Sequence, residues 1–173
     1  EGGLGDDFLA GADGTDTYIF NAGDGSDVIF DNGFRDNDVL DIRGYSSTDA
    51  SFSRVPGDAN DVLISFSNGD SVLLRDSLFE DNNGEIEFVT FDGDSASLTM
   101  ADIRAILLSQ DITSGDDIVF GDDFAVTYEA GQGNDYVSGG DGSDTYIFNI
   151  GDGQDIIYDN GFRDTDVLDI RGY

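Results

Sequence analysis

The stretch GGLGDDFLAGADGTDTYIFNAGDGSDVIF, residues 2–30, decides the fold that we predict for this chain. It repeats a nine-residue unit, G-G-x-G-x-D-x-U-x, in which U is a bulky apolar residue and the aspartates are Asp7, Asp16 and Asp27. The first six positions predict a turn, because glycine and aspartate favour tight turns, and the last three predict a short strand with one side chain pointing inward. Successive units wind a solenoid of two parallel sheets. We therefore expect an all-β fold built from parallel β-roll segments.

In such a roll, turns that lie two repeats apart stack directly on each other. We expect Asp7 to lie near Asp27, and Asp135 near Asp155. Short insertions leave two alternatives for the other pairs: Asp16 with Asp36 or Asp38, and Asp144 with Asp164 or Asp166. Carboxylates and backbone carbonyls from two stacked turns supply about six oxygen ligands, which suits Ca²⁺ better than Mg²⁺.

The charge balance excludes several classes of partner and of chemistry. The chain has 38 acidic against seven basic residues and a formal net charge of -31, so binding to nucleic acid or to an anionic membrane is disfavoured. Cysteine and histidine are both missing from the sequence, which removes disulfides, thiol chemistry and histidine-based nucleophilic triads. The sequence contains no apolar run near the roughly 20 residues of a membrane span. We expect a binding or structural module and not an enzyme.

A long internal repeat divides the chain into three segments. Residues 1–45 recur as residues 129–173, and 32 of these 45 positions are identical. The repeat predicts a first β-roll block at 1–45 and a second at 112–173, with a different segment at 46–111 between them. The chain thus resembles one and a third units of a tandem array.

The middle segment, residues 46–111, has the pattern of a β-rich cap with one helix. Two alternating strands at 61–78 flank Asn68-Gly69, which favours a hairpin turn, and a further strand is predicted at 85–93. The acids of the cap are expected to form a solvated face: Asp58, Asp61, Asp76, Glu80 and Asp81.

A helix is predicted at 99–109 within the same cap. Thr99 and Asp102 have the spacing of a capping box, and Ile103, Ile106 and Leu107 form an apolar stripe. We expect the cap to close the open end of the first roll. The second roll has no such segment after it in this sequence, so we expect its last turn to fray or to self-associate with another chain.

The tandem nonapeptides resemble those of the RTX (repeats-in-toxin) family, whose Gly-rich nonapeptide builds a Ca²⁺-binding parallel β-helix. The match is complete at 2–10 and close at 11–30, 112–120 and 130–158, and 38–109 is similar to the haemolysin-type calcium-binding-related domain. The resemblance implies several Ca²⁺ ions held between turns i and i+2. It implies carboxylate ligands from Asp7, Asp16, Asp27, Asp117, Asp135, Asp144 and Asp155, and carbonyl ligands from Gly2, Gly3, Gly5, Gly11, Gly14, Gly131, Gly133, Gly139 and Gly142.

Two departures from the nonapeptide change the expected sites. Val126 stands where an aspartate belongs, which removes one ligand from the site shared with Asp144. The looser turns at 31–38 and 159–166 either bind metal weakly or use Arg35 and Arg163 in place of an ion. The bulky U residues are predicted to be core: Leu9, Tyr18, Ile29, Val137, Tyr146 and Ile157.

These features predict a module that folds when it binds Ca²⁺. Without the ion, the stacked acidic turns repel one another, whereas external Ca²⁺ concentrations suffice to fill sites of the extracellular type. The resemblance implies a secreted, extracellular segment of a large bacterial adhesin or toxin, exported by type I secretion from a Gram-negative bacterium. The alternative is a ligand-binding roll that recognises carbohydrate, a receptor or ice, although no threonine ladder of the ice-binding kind is present in the sequence.

Overall fold

The computed structural model describes residues 1–33, 37–56, 58–78, 86–162 and 164–172, and of Ala59 only the backbone. The described chain is mostly β, with about seven turns of a parallel β-solenoid and one helix, so the predicted fold class is confirmed. It divides into two compact units, Glu1–Ala105 and Ile106–Tyr173.

The first unit opens with four solenoid strands that alternate between two sheets. They are β1 (Phe8–Ala10), β2 (Thr17–Asn21), β3 (Ser26–Phe30) and β4 (Val39–Arg43). Strand β1 pairs in parallel with β3, and β2 with β4. Each strand therefore pairs with the strand two turns later, which is the pairing that the nine-residue period predicts.

The cap begins with a 3₁₀ turn at Ser47–Asp49, and its described residues contribute five further strands. These are β5 (Ala50–Val55), β6 (Asp58–Phe66), β7 (Ser71–Leu74), β8 (Phe88–Phe91) and β9 (Ser97–Thr99). Strands β6 and β7 are antiparallel with Ser65 opposite Ser71, so the hairpin predicted around Asn68-Gly69 is confirmed. Gly69 has a φ of 100°, a conformation that glycine adopts without steric cost.

The cap strands also extend both sheets of the first roll. Strand β7 pairs in parallel with β3, placing Leu74 beside Ile29, and β8 pairs in parallel with β4, placing Val89 beside Leu40. All four side chains are fully or almost fully buried. Burial of such residues is a main favourable contribution to folding, so the cap strands complete the core of the roll on which they stack.

One helix, α1 (Met100–Asp111), follows β9 directly. The Thr99 backbone N–H donates to the Asp102 carboxylate at 2.9 Å, and the Asp102 backbone N–H donates to the Thr99 hydroxyl at 3.2 Å, which is the predicted capping box. Ile103 and Leu107 are buried and Ile106 is half-buried, so the predicted apolar stripe faces inward. The boundary between the two units falls inside this helix, after Ala105.

The second unit repeats the solenoid pattern in six strands. They are β10 (Ile118–Phe120), β11 (Thr127–Tyr128), β12 (Tyr136–Ser138), β13 (Thr145–Asn149), β14 (Ile156–Tyr158) and β15 (Val167–Arg171). One parallel sheet has the order β10-β12-β14 and the other β11-β13-β15. Val119, Tyr128, Val137 and Tyr146 form its buried core.

The prediction of core residues is correct for four positions and wrong for one. Tyr18, Ile29, Val137 and Tyr146 are buried, and Leu9 is half-buried. Ile157 is 37% exposed, although its counterpart Ile29 is only 1% exposed. The difference has a physical cause: strand β7 covers β3, whereas no strand among the described residues pairs with the outer edge of β14.

The expected solvated face of the cap is wrong at Asp61. This residue is only 6% exposed, and its carboxylate accepts the backbone N–H of Asp76 at 2.8 Å. Asp58 is exposed and Asp76 half-buried. Asp61 turns inward because its carboxylate caps the turn after β7. Glu80 and Asp81 lie outside the described residues.

The two copies of the repeat allow a matched test of burial. Leu40 is fully buried, whereas Leu168, which occupies the same position 128 residues later, is 54% exposed. We expect Leu40→Ala to lower the free energy of unfolding by about 2–5 kcal/mol, and Leu168→Ala by less than about 1 kcal/mol. Denaturant unfolding of both variants measures this, and equal losses would contradict the described stacking.

Candidate metal centre

The aspartate that ends each glycine-rich turn is held by the backbone of the turn stacked before it. Its Oδ1 accepts the backbone N–H of the aspartate two repeats earlier: Asp27 from Asp7 at 3.1 Å, Asp38 from Asp16 at 2.7 Å, Asp135 from Asp117 at 2.9 Å, Asp155 from Asp135 at 3.1 Å and Asp166 from Asp144 at 3.0 Å. Hydrogen bonds to an ionised acceptor are short and strong. These hydrogen bonds form a ladder along the stack of turns. The ladder fixes one oxygen of each accepting carboxylate and sets the register of the stacked turns.

The ladder decides between the alternatives that the sequence left open. Asp16 pairs with Asp38, and Asp144 pairs with Asp166. Asp164 is not part of this ladder, although its Oδ2 is buried. Asp36, with the neighbouring Arg35, and Arg163 lie outside the described residues.

The second oxygen of several of these carboxylates is buried without a hydrogen-bond donor from the described residues. This holds for the Oδ2 atoms of Asp7, Asp27, Asp135 and Asp144, and also for that of Asp164, which lies outside the ladder. Asp27, Asp135 and Asp144 are themselves at most 2% exposed. A buried and unpaired charged oxygen is costly, so such groups normally pair with an opposite charge or bind a metal. The oxygen-only donor set fits a hard cation such as Ca²⁺.

Burial shifts the protonation of these carboxyl groups. Desolvation, reinforced by neighbouring carboxylates, raises the pKa of Asp27 and that of Asp135 above the ordinary range. Desolvation together with the charges of Asp159 and Asp166 raises the pKa of Asp144 to about 6. A bound cation would reverse this effect, because it favours the ionised form.

Glycines allow the backbones of stacked turns to approach closely. A Cβ on Gly25 would lie 2.5 Å from the Gly5 carbonyl oxygen, and one on Gly133 would overlap the Gly115 carbonyl. The Gly5 N–H donates to the Asp24 carbonyl at 2.6 Å, and the Gly133 N–H to the Asp152 carbonyl at 2.7 Å. A side chain at Gly25 or Gly133 would therefore force the stacked turns apart.

The glycines expected to supply carbonyl ligands fall into two groups. Those with positive φ form the turns themselves: Gly3, Gly5, Gly14, Gly131, Gly133 and Gly142. Gly2, Gly11 and Gly139 instead face carboxylates, because a Cβ there would meet the side chain of Asp7, Asp16 or Asp144 respectively. The carbonyl of Gly139 accepts a hydrogen bond from the Tyr128 hydroxyl at 3.2 Å.

The turn with Val126 keeps its backbone contact but lacks one carboxylate. The Val126 N–H donates to Asp144 Oδ1 at 2.9 Å, as the aspartates do elsewhere in the ladder. The stack therefore forms without the acid, whereas the ligand that an aspartate at position 126 would supply is missing. Asp117, one turn earlier, stacks on Asp135 in the other sheet.

Three aspartates converge at one place in each copy of the repeat. Oxygen atoms of Asp16, Asp31 and Asp38 lie within 4.8 Å of one another, and so do those of Asp144, Asp159 and Asp166. Asp31 and Asp159 are not among the site residues predicted from the sequence. The signal that could have found them is the motif Asp-Asn-Gly directly after a strand, which both copies keep at 31–33 and 159–161.

A third acidic group lies in the cap, outside the glycine-rich turns. Oxygen atoms of Asp58, Asp61 and Asp76 lie within 4.8 Å of one another. Desolvation raises the pKa of Asp61, with the charges of Asp58 and Asp76 adding to the effect and that of Arg75 opposing it. A nearby guanidinium already offsets part of this negative charge, so the group resembles an internal ion network more than a cation site.

No family model matches the chain, and no curated protein sequence matches it. The candidate centre therefore rests on the geometry and chemistry of its own residues. Within the described ranges, no helix combines the length and the apolar character needed to cross a membrane.

The raised pKa of Asp144 predicts how the metal-free chain responds to pH. Since the folded state binds this proton more tightly than the unfolded state, stability is greatest below the ordinary pKa of about 4 and is lost as the pH rises through about 6. We expect the metal-free chain in chelator to contain less β structure by circular dichroism at about pH 7.5, where it is expanded, than at about pH 5, with this group contributing on the order of 2 kcal/mol.

Two variants separate this group from the general charge of the chain. Asp144→Asn should remove a distinct part of the pH dependence of the stability of the metal-free chain. Asp141→Asn, which changes an exposed acid three residues away, should leave this pH dependence in place. A metal-free chain whose stability rises between these two pH values would contradict the prediction.

Proposed function

We propose that this chain is a calcium-binding β-roll module that folds when Ca²⁺ joins its stacked acidic turns. The observation that carries the proposal is the set of buried Oδ2 atoms without a hydrogen-bond donor among the described residues, at Asp7, Asp27, Asp135 and Asp144. Each of these oxygens belongs to a carboxylate in a stacked pair of turns. A divalent cation between the turns would provide the opposite charge that burial requires.

The coupling of binding to folding follows from the charge of the chain. At a formal net charge of -31 in 173 residues, the compact state suffers strong self-repulsion. Each Ca²⁺ offsets two charges and connects two turns, so its binding free energy contributes directly to folding. Carboxylates such as Asp135, which takes part in two successive contacts of the ladder, would transmit this coupling along the stack.

We further propose that the module belongs to the RTX family and serves as a structural and secretion segment of a large extracellular adhesin or toxin. Sites of the extracellular type bind Ca²⁺ at about 10⁻⁴–10⁻³ M, far above cytosolic levels. Such a chain would stay expanded before export and fold outside the cell. The tandem repeat supports this role, because neighbouring solenoid turns supply each other's ligands and core.

A titration of the whole chain tests the proposal. In chelator the chain should be expanded with weak β-sheet circular dichroism, and millimolar Ca²⁺ should produce a compact β-rich state, whereas the same concentration of Mg²⁺ should do much less. Small-angle scattering reports the compaction independently. A chain that is fully folded in chelator at neutral pH and low salt would contradict the proposal.

Asp135→Asn should act in opposite directions with and without the ion. Removing a buried carboxylate relieves repulsion in the metal-free chain, so its residual structure should increase, whereas the Ca²⁺ midpoint for folding should rise about tenfold or more. Asp141→Asn makes the same change of charge at an exposed position of the second unit. This variant should alter neither the residual structure without metal nor the Ca²⁺ midpoint for folding by more than about twofold. Equal midpoints for the two variants would place Asp135 outside the binding sites.

A further inference from the structure

Asp31 and Asp159 occupy an unusual position in the repeat. Regular nonapeptides place glycine directly after a strand, as at Gly11 after β1 and Gly139 after β12. Asp31 follows β3 and Asp159 follows β14 at the same point. A carboxylate therefore stands where the regular turn has no side chain.

The local backbone directs both carboxylates toward the neighbouring turn. Asp31 Oδ1 accepts the Gly33 N–H at 2.8 Å, and Asp159 Oδ1 accepts the Gly161 N–H at 3.0 Å. This bond anchors one oxygen, and the other meets a tyrosine: the Tyr18 hydroxyl donates to Asp31 Oδ2, and the Tyr146 hydroxyl donates to Asp159 Oδ2 at 2.6 Å.

The glycine of the turn below leaves room for this convergence. A Cβ on Gly11 would meet the Tyr18 hydroxyl, Asp31 Oδ2 and Asp16 Oδ2. In the second copy, a Cβ on Gly139 would meet the Tyr146 hydroxyl and Asp144 Oδ2. In each copy, the space beside this glycine therefore holds the carboxylate of Asp16 or Asp144. It also holds the hydroxyl of Tyr18 or Tyr146, which donates to Asp31 or Asp159 respectively.

In the second copy, this space holds a buried oxygen that lacks a hydrogen-bond partner in the described part of the chain. Asp144 is fully buried, and its Oδ2, which points at Gly139, has no hydrogen-bond donor among the described residues. This buried oxygen of Asp144 therefore has no partner among the described residues, although Asp144 lies beside the carboxylates of Asp159 and Asp166. Hydrogen bonds from tyrosine and backbone satisfy Asp159, but no donor of the described chain satisfies Asp144 Oδ2.

We propose that Asp31 and Asp159 are additional metal ligands, which make the groups Asp16–Asp31–Asp38 and Asp144–Asp159–Asp166 the tightest cation sites of their units. The inference rests on the proposed calcium-binding function and specifies its strongest sites. Affinity for Ca²⁺ rises with the number of charged ligands and with the rigidity of the site. These groups have three carboxylates, whereas stacked turns such as those of Asp7 and Asp27 have two.

The tyrosines make the sites directly observable. The chain contains no tryptophan, so tyrosine is its only strong sensitiser of lanthanide luminescence. Tb³⁺ replaces Ca²⁺ at oxygen sites and emits when a nearby tyrosine is excited. Because the hydroxyls of Tyr18 and Tyr146 touch the additional carboxylates, Tb³⁺ in these sites should give strong sensitised emission at the lowest occupancies.

The test compares two double variants of the full chain in parallel titrations with Tb³⁺ and Ca²⁺. Asp31→Asn with Asp159→Asn removes the proposed ligands, and asparagine keeps an acceptor for the backbone and tyrosine donors. Asp13→Asn with Asp141→Asn is the control, since both residues are exposed, lie in the turns of Asp16 and Asp144, and are related by the same 128-residue shift. Sensitised emission and calorimetric affinity are measured for each.

We expect the first double variant to lose at least tenfold in affinity at the tightest sites and most of the early sensitised emission, while the control changes by less than twofold. Identical titrations for the two double variants would overturn the inference, even when Ca²⁺ still folds both proteins. If Ca²⁺ neither binds nor folds the unaltered chain, the proposed function fails, and this inference fails with it.

A third variant separates a ligand role from a purely structural one. Tyr18→Phe with Tyr146→Phe removes the hydroxyls that bond Asp31 and Asp159 but keeps both carboxylates. We expect calorimetric affinity within about threefold of the unaltered chain, with the early sensitised emission reduced. If the asparagine variant does not fold in millimolar Ca²⁺ while the phenylalanine variant does, the carboxylates are required as ligands. If both variants fail to fold, Asp31 and Asp159 act only as tyrosine partners and the inference is overturned.

Discussion

The structure depends on the stacking of carboxylates from turns two repeats apart. One oxygen of the stacked aspartate is fixed by a backbone N–H of the turn two repeats earlier, as in the contact of Asp27 with Asp7. In Asp27, Asp135 and Asp144 the other oxygen is buried without a hydrogen-bond donor among the described residues. At separations near 4 Å, two unit charges repel by about 4 kcal/mol at an effective dielectric constant of 20. The contact that sets the register therefore also brings like charges together, and this repulsion is the basis of the proposed coupling of folding to Ca²⁺ binding.

The two copies of the repeat show how much of the structure comes from neighbouring strands. The sequence DVLDIRGY occurs at 38–45 and at 166–173, and both copies form a strand that pairs with the strand two turns earlier. Ile42 is fully buried beneath β8, whereas its counterpart Ile170 is 57% exposed. The strand itself is encoded locally, but its burial depends on whether another pair of strands stacks on it.

The nine-residue period predicts most of the solenoid, because glycine and aspartate at fixed spacing define each turn and hence each stacked pair. It does not predict the loose turns, where insertions break the period; for this reason the pairing of Asp16 stayed ambiguous and Asp31 was missed. The inward position of Asp61 also escaped prediction, because it depends on a turn 15 residues away in the chain. Long-range contacts of this kind, including the parallel pairing of β7 and β8 with the roll, have no local sequence signal.

A crystal structure of the whole chain grown with Ca²⁺, with anomalous difference maps, tests the central claim most directly. We expect anomalous peaks between the turns of Asp7 and Asp27 and between those of Asp135 and Asp155, each within about 2.3–2.6 Å of carboxylate oxygens. Well-ordered stacked turns without such peaks, with the aspartate Oδ2 atoms hydrogen-bonded to protein or water instead, would contradict it.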